Sequence, residues 1–133
     1  MRLYPPAPAL TGRVAREVDE ICGRPIRKGT EIVILPWVLH RHRMLWNDPD
    51  LFDPERFSPE RSAARPRFAY LPFGGGPRIC IGAQLALTEV SLLIATIAQR
   101  YQLKLLPRQD IVLLHRITLR PREGMRMQLE GRH

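Results

Sequence analysis

Thirteen prolines are spread along 133 residues, and each one fixes φ near −65° and removes a backbone donor. Few stretches can therefore carry a long regular element. The exception lies between Pro77 and Pro107, where AQLALTEVSLLIATIAQRY (83–101) has apolar residues on nearly every face apart from Gln84, Thr88, Glu89, Ser91 and Gln99. A helix that is apolar all round belongs in an interior, so the pattern predicts one long buried helix over about 82–100. The rest of the chain must be short elements joined by irregular backbone.

Local signals place those elements. PPAPA (5–9) reads as extended, because each proline pushes its predecessor out of the helical region. Polar and apolar residues alternate from Arg13 to Ile21. GRPIRKGTEIVILPW then reads as a turn, a second turn at Lys28-Gly29 and a strand over Glu31 to Leu35. VLHRHRMLW (38–46) suits a short helix, and residues 47–66, with four prolines, read as a meander pinned by Leu51, Phe52 and Phe57. Beyond Pro107, IVLLHRITLRP and MRMQLE read as two strands paired in a hairpin. The fold class is α+β with small antiparallel sheets, and the length suits one domain, 1–133.

The net charge of +8 and pI near 10.7 attract anions of any kind. The basic residues are scattered, with no block of five or more, and the aromatic residues are not interleaved with them in a repeating way. A nucleic-acid partner is accordingly not expected. Trp37, Trp46, Phe52, Phe57 and Tyr70 read as packing anchors. YPPAP after Met1 breaks any secretory pattern, and no run of 18 apolar residues is present. The expectation is a cytoplasmic chain with no membrane segment. Cys22 and Cys80 are then free thiols, Cys22 a small buried or edge residue without chemistry. His40 and His42 stand two apart and do not share a helix face, which argues against zinc.

Cys80 is different, because it sits inside FGGGPRICIG (73–82), directly before the long helix. Unpaired N–H groups and the helix dipole favour an anion there, and Arg78 lies two residues away. A thiolate so placed is either a nucleophile or a metal ligand. A nucleophile needs a base, and His40, His42, His115 and His133 carry no signature that places one beside it. The glycines at 74, 75, 76 and 82 admit a large flat body close to the backbone. A porphyrin answers both features, offering iron to the sulfur and a plane to the glycines.

The residues here also resemble a known family. Phe73, Gly76, Arg78, Cys80 and Gly82 match the pattern F-x-x-G-x-R-x-C-x-G of the cytochromes P450, the haem-thiolate monooxygenases. WVLHRHRMLWNDPDLFDPERF (37–57) is similar to the family's approach to its P-E-R-F motif. RLYPP (2–6) is similar to the segment just after the family's E-x-x-R helix. Arg27 stands where the family usually has proline.

The resemblance implies the C-terminal third of such a protein, so that 1–133 would be a single partial domain. It implies haem b with Cys80 as axial iron ligand. Phe73 would shield the sulfur, Gly74, Gly75 and Gly76 would shape the turn, and Gly82 would let the helix approach the porphyrin. Arg78 would pair with a propionate, as would Arg13 (or Arg16), with His40 a further contact. Arg2 and Arg56 would share one carboxylate from a Glu three residues before Arg2. The implied reaction inserts one oxygen atom from O2 into a small organic substrate. Electrons would come from a ferredoxin, flavodoxin or reductase. No catalytic residue of the oxygen-activating side falls within 1–133, so stand-alone activity is not expected. The alternatives are a non-catalytic haem-binding or interaction module and, on charge alone, a basic nucleic-acid binder.

Overall fold

Proline and glycine divide the chain as the sequence suggests. The computed structural model describes residues 1–132; His133, the last residue of the expected 1–133 span, lies outside the described residues. The chain forms two compact units, Met1–Pro72 and Phe73–His133.

In the first unit the proline-rich start forms neither helix nor strand. Four short strands come next, β1 (Arg13–Val14), β2 (Asp19–Ile21), β3 (Arg24–Ile26) and β4 (Glu31–Ile32). β1 pairs antiparallel with β4, placing Arg13 opposite Ile32, and β2 pairs with β3, placing Ile21 opposite Arg24. Cys22 and Gly23 make the tip of that second pair, with φ of 51° and 75°. Positive φ at both loop positions matches the right-handed strand twist. Cys22 is thus an exposed turn residue rather than a buried one. The strand expected over Glu31 to Leu35 pairs only at Glu31–Ile32. Beyond it, Ile34 gives its carbonyl to the Leu10 amide at 2.9 Å.

The helix expected over 38–46 is confined to α1 (Pro36–Leu39), which starts on proline at a position where the missing N–H costs nothing. The meander holds a 3₁₀ turn, Pro54–Phe57, capped by the Asp53 carboxylate, and α2 (Pro59–Ala63), capped by the Ser58 hydroxyl. The buried residues of this unit include Trp46, Ala69 and Leu71, but also Arg2 and His40.

The second unit opens on the glycine loop and α3 (Ala83–Arg100). After the helix come β5 (Tyr101–Leu105), β6 (Leu113–His115), β7 (Leu119–Pro121) and β8 (Met127–Gly131). β6 and β7 form a hairpin, whereas β8 pairs with β5, Leu129 opposite Leu103. The expected pairing of MRMQLE with IVLLHRITLRP is therefore corrected, and Tyr101 begins a strand instead of ending the helix. Gln109 closes the β5–β8 ladder: its Nε2 donates to the Leu106 and Arg126 carbonyls at 2.7 and 2.8 Å, and its Oε1 accepts the Arg126 N–H at 2.7 Å.

α3 lies at the expected span, but no residue of it is buried, and Leu85 is 72% exposed. The expectation of a buried helix is corrected on that point. Cover on several sides requires other long elements, and among the described residues the second unit contains only short strands and one 3₁₀ turn besides α3.

Candidate functional site

The loop before α3 is shaped by two different demands on glycine. Gly74 and Gly76 hold φ of 76° and 70°, which side chains other than glycine adopt only with strain. Between them Gly75 is extended. A 3₁₀ turn, Gly76–Arg78, then brings Ile79 N–H to the Gly76 carbonyl at 3.0 Å. The Cys80 N–H donates to the Phe73 carbonyl at 2.9 Å, which closes the loop on itself. The Cys80 carbonyl accepts the Ala83 N–H at 3.3 Å as the chain enters the helix.

Gly82 caps α3 with φ of −86°, so its backbone does not require glycine. A Cβ there would meet nothing closer than Cys80 Sγ, at 3.9 Å. Nothing inside the chain demands the missing side chain. Cys80 is free and exposed, Arg78 is exposed, and Phe73 is half-buried. Phe73, Gly74, Gly76, Arg78, Cys80 and Gly82 thus stand on one continuous, backbone-closed turn.

The remaining expected site residues lie in the first unit. Arg13, on β1, and Arg16 are exposed. Arg2 is only 5% exposed and donates to the carbonyls of His40 (2.8 Å), Pro49 (2.5 Å) and Leu51 (2.8 Å). Its guanidinium carbon lies 5.0 Å from the Trp46 ring centroid. Burial, and then the nearby charges of Arg56 and Arg41, push its pKa below the usual arginine value.

Arg56 donates to the Asp48 carbonyl at 3.0 Å and lies 3.8 Å from the Asp53 carboxylate, while its buried Nε has no hydrogen-bond partner. A cavity of about 480 Å³ is lined by Arg56 and by Trp46, whose buried Nε1 is also unpartnered, together with Asp53, Arg61 and Arg65.

His40 is fully buried, and its Nε2 accepts the Leu71 N–H at 2.9 Å. Burial holds its pKa down at about 4; the Arg2 backbone acts against this, and the charges of Arg2, the terminal amine and Arg41 add to the lowering. An enclosed ring offers no surface to a propionate, so the expected contact from His40 is not one this geometry provides.

Sequence reasoning missed Arg41 and Arg65. Arg41 stacks on Trp37 at 3.7 Å and donates to the Leu3 carbonyl; Arg65 donates to the Arg56 carbonyl and lies 4.6 Å from the Phe57 centroid. Both were legible as arginines set among aromatic residues in a proline-rich stretch. Among the described residues no group of three His, Cys, Asp or Glu could hold a bare metal ion, and no helix is long and apolar enough to cross a membrane.

A cysteine on a glycine turn ahead of an apolar helix, preceded by an arginine-tied meander, is the arrangement that the resemblance to the cytochromes P450 implies. The family model described as Cytochrome P450 matches residues 1–126, and the chain belongs to that family. It is 36% identical over 133 residues to Cytochrome P450 4c3 of Drosophila melanogaster, covering 99% of this chain and 25% of that protein. It is 43% identical over 116 residues to Putative cytochrome P450 132 of Mycobacterium tuberculosis, covering 87% and 25%. The crystal structure of the cytochrome P450DA heme domain superimposes with a TM-score of 0.92 at 32% identity, over 99% of this chain and 29% of that one. The chain thus spans about a quarter of the length of the curated relatives it matches.

Proposed function

We propose that this chain supplies the proximal, iron-ligating wall of a haem-thiolate monooxygenase, with haem b as cofactor and Cys80 as its axial ligand. One observation carries the reading: Cys80 is an exposed, free thiol on a turn closed by its own backbone, beside a glycine whose missing side chain nothing in the chain requires. That donor set fits a flat group bearing iron, since sulfur suits the metal and Gly82 leaves room for a plane. Bound haem would supply oxygen activation.

The chain's own residues would bind and orient it. Gly74 and Gly76 set the turn, Phe73 flanks the sulfur, and the exposed guanidinium of Arg78 is free to meet a propionate. Arg13 is assigned the same role on family resemblance alone. Arg2 and Arg56 are assigned the arginine half of a site for a shared carboxylate on family resemblance alone; the Arg56 Nε makes no hydrogen bond and lies 3.8 Å from the Asp53 carboxylate. His40, enclosed within the first unit, is not among the haem contacts. Insertion of oxygen into a small organic substrate, fed by a ferredoxin, flavodoxin or reductase, is proposed for the whole protein to which such a wall belongs. A cytoplasmic location, one domain over 1–133 and the absence of a nucleic-acid partner are parts of the same reading.

The test is reconstitution of the purified chain with haem, reading the reduced carbon-monoxide difference spectrum. A strongly red-shifted Soret band that disappears in Cys80→Ser is expected. Haem uptake identical in the two proteins would refute ligation by Cys80.

A further inference from the structure

We infer that His40 is a positioning residue that fixes where the chain enters the cysteine loop, acting as a neutral acceptor and not as a contact to the cofactor. The inference rests on the assignment of Cys80 as ligand.

Two hydrogen bonds tie His40 to distant segments of the chain. Its carbonyl accepts from the Arg2 guanidinium at 2.8 Å, and its Nε2 accepts the Leu71 N–H at 2.9 Å. The Leu71 bond spans 31 residues. Leu71 is the last buried residue before the loop, 9% exposed, and Phe73 stands two positions later. The Phe73 carbonyl in turn accepts the Cys80 N–H. A continuous path of bonds therefore runs from the buried Arg2, through the His40 residue and three residues of backbone, to the amide of the ligand itself.

The tautomer is set by geometry. A backbone N–H pointing at Nε2 requires that nitrogen to carry a lone pair. The proton of the neutral ring then sits on Nδ1, which has no hydrogen-bond partner. Protonating Nε2 would set two donors face to face. The charged groups around the ring are Arg2, Arg41 and the terminal amine, all cationic, and Tyr70 packs 5.0 Å from the ring centroid. None of them welcomes a second positive charge. With its folded pKa lowered to about 4, the ring contributes stability that is present above the unfolded value near 6.5 and is lost as pH falls toward 4.

The experiment compares wild type with His40→Gln, whose Oε1 can take the place of Nε2, and with His40→Phe, which keeps a ring and has no acceptor. On the haem-free chain, wild type is expected to lose its urea midpoint between about pH 6.5 and 4, whereas both variants lack that part of the loss. After haem loading, His40→Gln should retain the red-shifted carbonyl band and His40→Phe should show about a fivefold lower proportion of it, the equivalent of one buried hydrogen bond. Equal proportions in all three proteins would overturn the positioning role, as would a pH profile of His40→Phe that matches wild type. If wild type and Cys80→Ser already give the same spectrum, the ligand assignment fails, and the His40 inference falls with it. The pH arm then reports separately whether the neutral lock exists.

Discussion

Arg2 offers the sharpest quantitative test of how the first unit is held together. Its guanidinium reaches three main-chain carbonyls from segments about 40 residues or more away along the chain. Replacing it by methionine keeps the buried stem and removes the donors. The His40 carbonyl bond is buried, and losing a charged partner there costs roughly 1.5–3 kcal/mol. The Pro49 and Leu51 carbonyls are part-buried, so water can replace the lost donor and each costs about 0.5–1 kcal/mol. Against this stands relief from holding a buried cation beside Arg56 and Arg41, on the order of 1 kcal/mol. The net loss expected is about 1.5–4 kcal/mol. With a urea slope of about 1–1.5 kcal/mol/M for a unit of this size, the midpoint falls by roughly 1–4 M. The assay is urea unfolding monitored by Trp46 fluorescence in a Trp37→Phe background, since Trp46 is 4% exposed and lies against Arg2. Arg2→Lys, able to serve one carbonyl at a time, should fall between, which keeps the test readable if Arg2→Met is unfolded throughout. A shift below about 0.5 kcal/mol for both variants would show that the carbonyls find other partners and would refute the reasoning.

Two further outcomes test the second unit. Gly76→Ala should destabilise by about 1 kcal/mol, purely through the cost of φ at 70° because the space beside it is open; thermal melts would read it, and loss of the same size at Gly82, where φ is ordinary, would contradict the distinction between the two glycines. Gln109→Ala removes three hydrogen bonds at the open end of the β5–β8 ladder. About 1–2 kcal/mol of local stability should go with them, seen as faster amide exchange at Arg126 and Leu106 with little change at β6 and β7.

What could be read from the sequence was what is decided locally. The glycine loop is such a case: positive φ at Gly74 and Gly76, the 3₁₀ turn through Pro77 and the helix start at Ala83 are all set by neighbours a few residues apart. The span of α3 was legible for the same reason. Its burial was not, because an apolar pattern reports the surroundings a helix is suited to, and those surroundings need not lie in the same stretch of chain. The β5–β8 pairing escaped because YQLKL carries its alternation straight on from a helix, and its partner lies beyond an intervening hairpin. His40 escaped because its role depends on an amide 31 residues away.

The same proline content that made the sequence hard to read also explains the arginines. Irregular backbone leaves carbonyls without ladder partners, and every proline removes an N–H that could have served one, so a meander has a surplus of acceptors. Buried acceptors must still be satisfied. Arginine has five donors on a rigid plane and no acceptor of its own. Arg2, Arg41, Arg56 and Arg65 each donate to main-chain carbonyls, and three of them also lie over aromatic rings. Much of the unit's positive charge is therefore turned inward as a substitute for backbone hydrogen bonding. It is not simply a surface awaiting an anion. Lysine, with one compact ammonium, can neither span the three carbonyls held by Arg2 nor lay a donor plane on the rings beside Arg41 and Arg65, so substitution of lysine for arginine at these three positions should destabilise where the same change at exposed Arg43 would not.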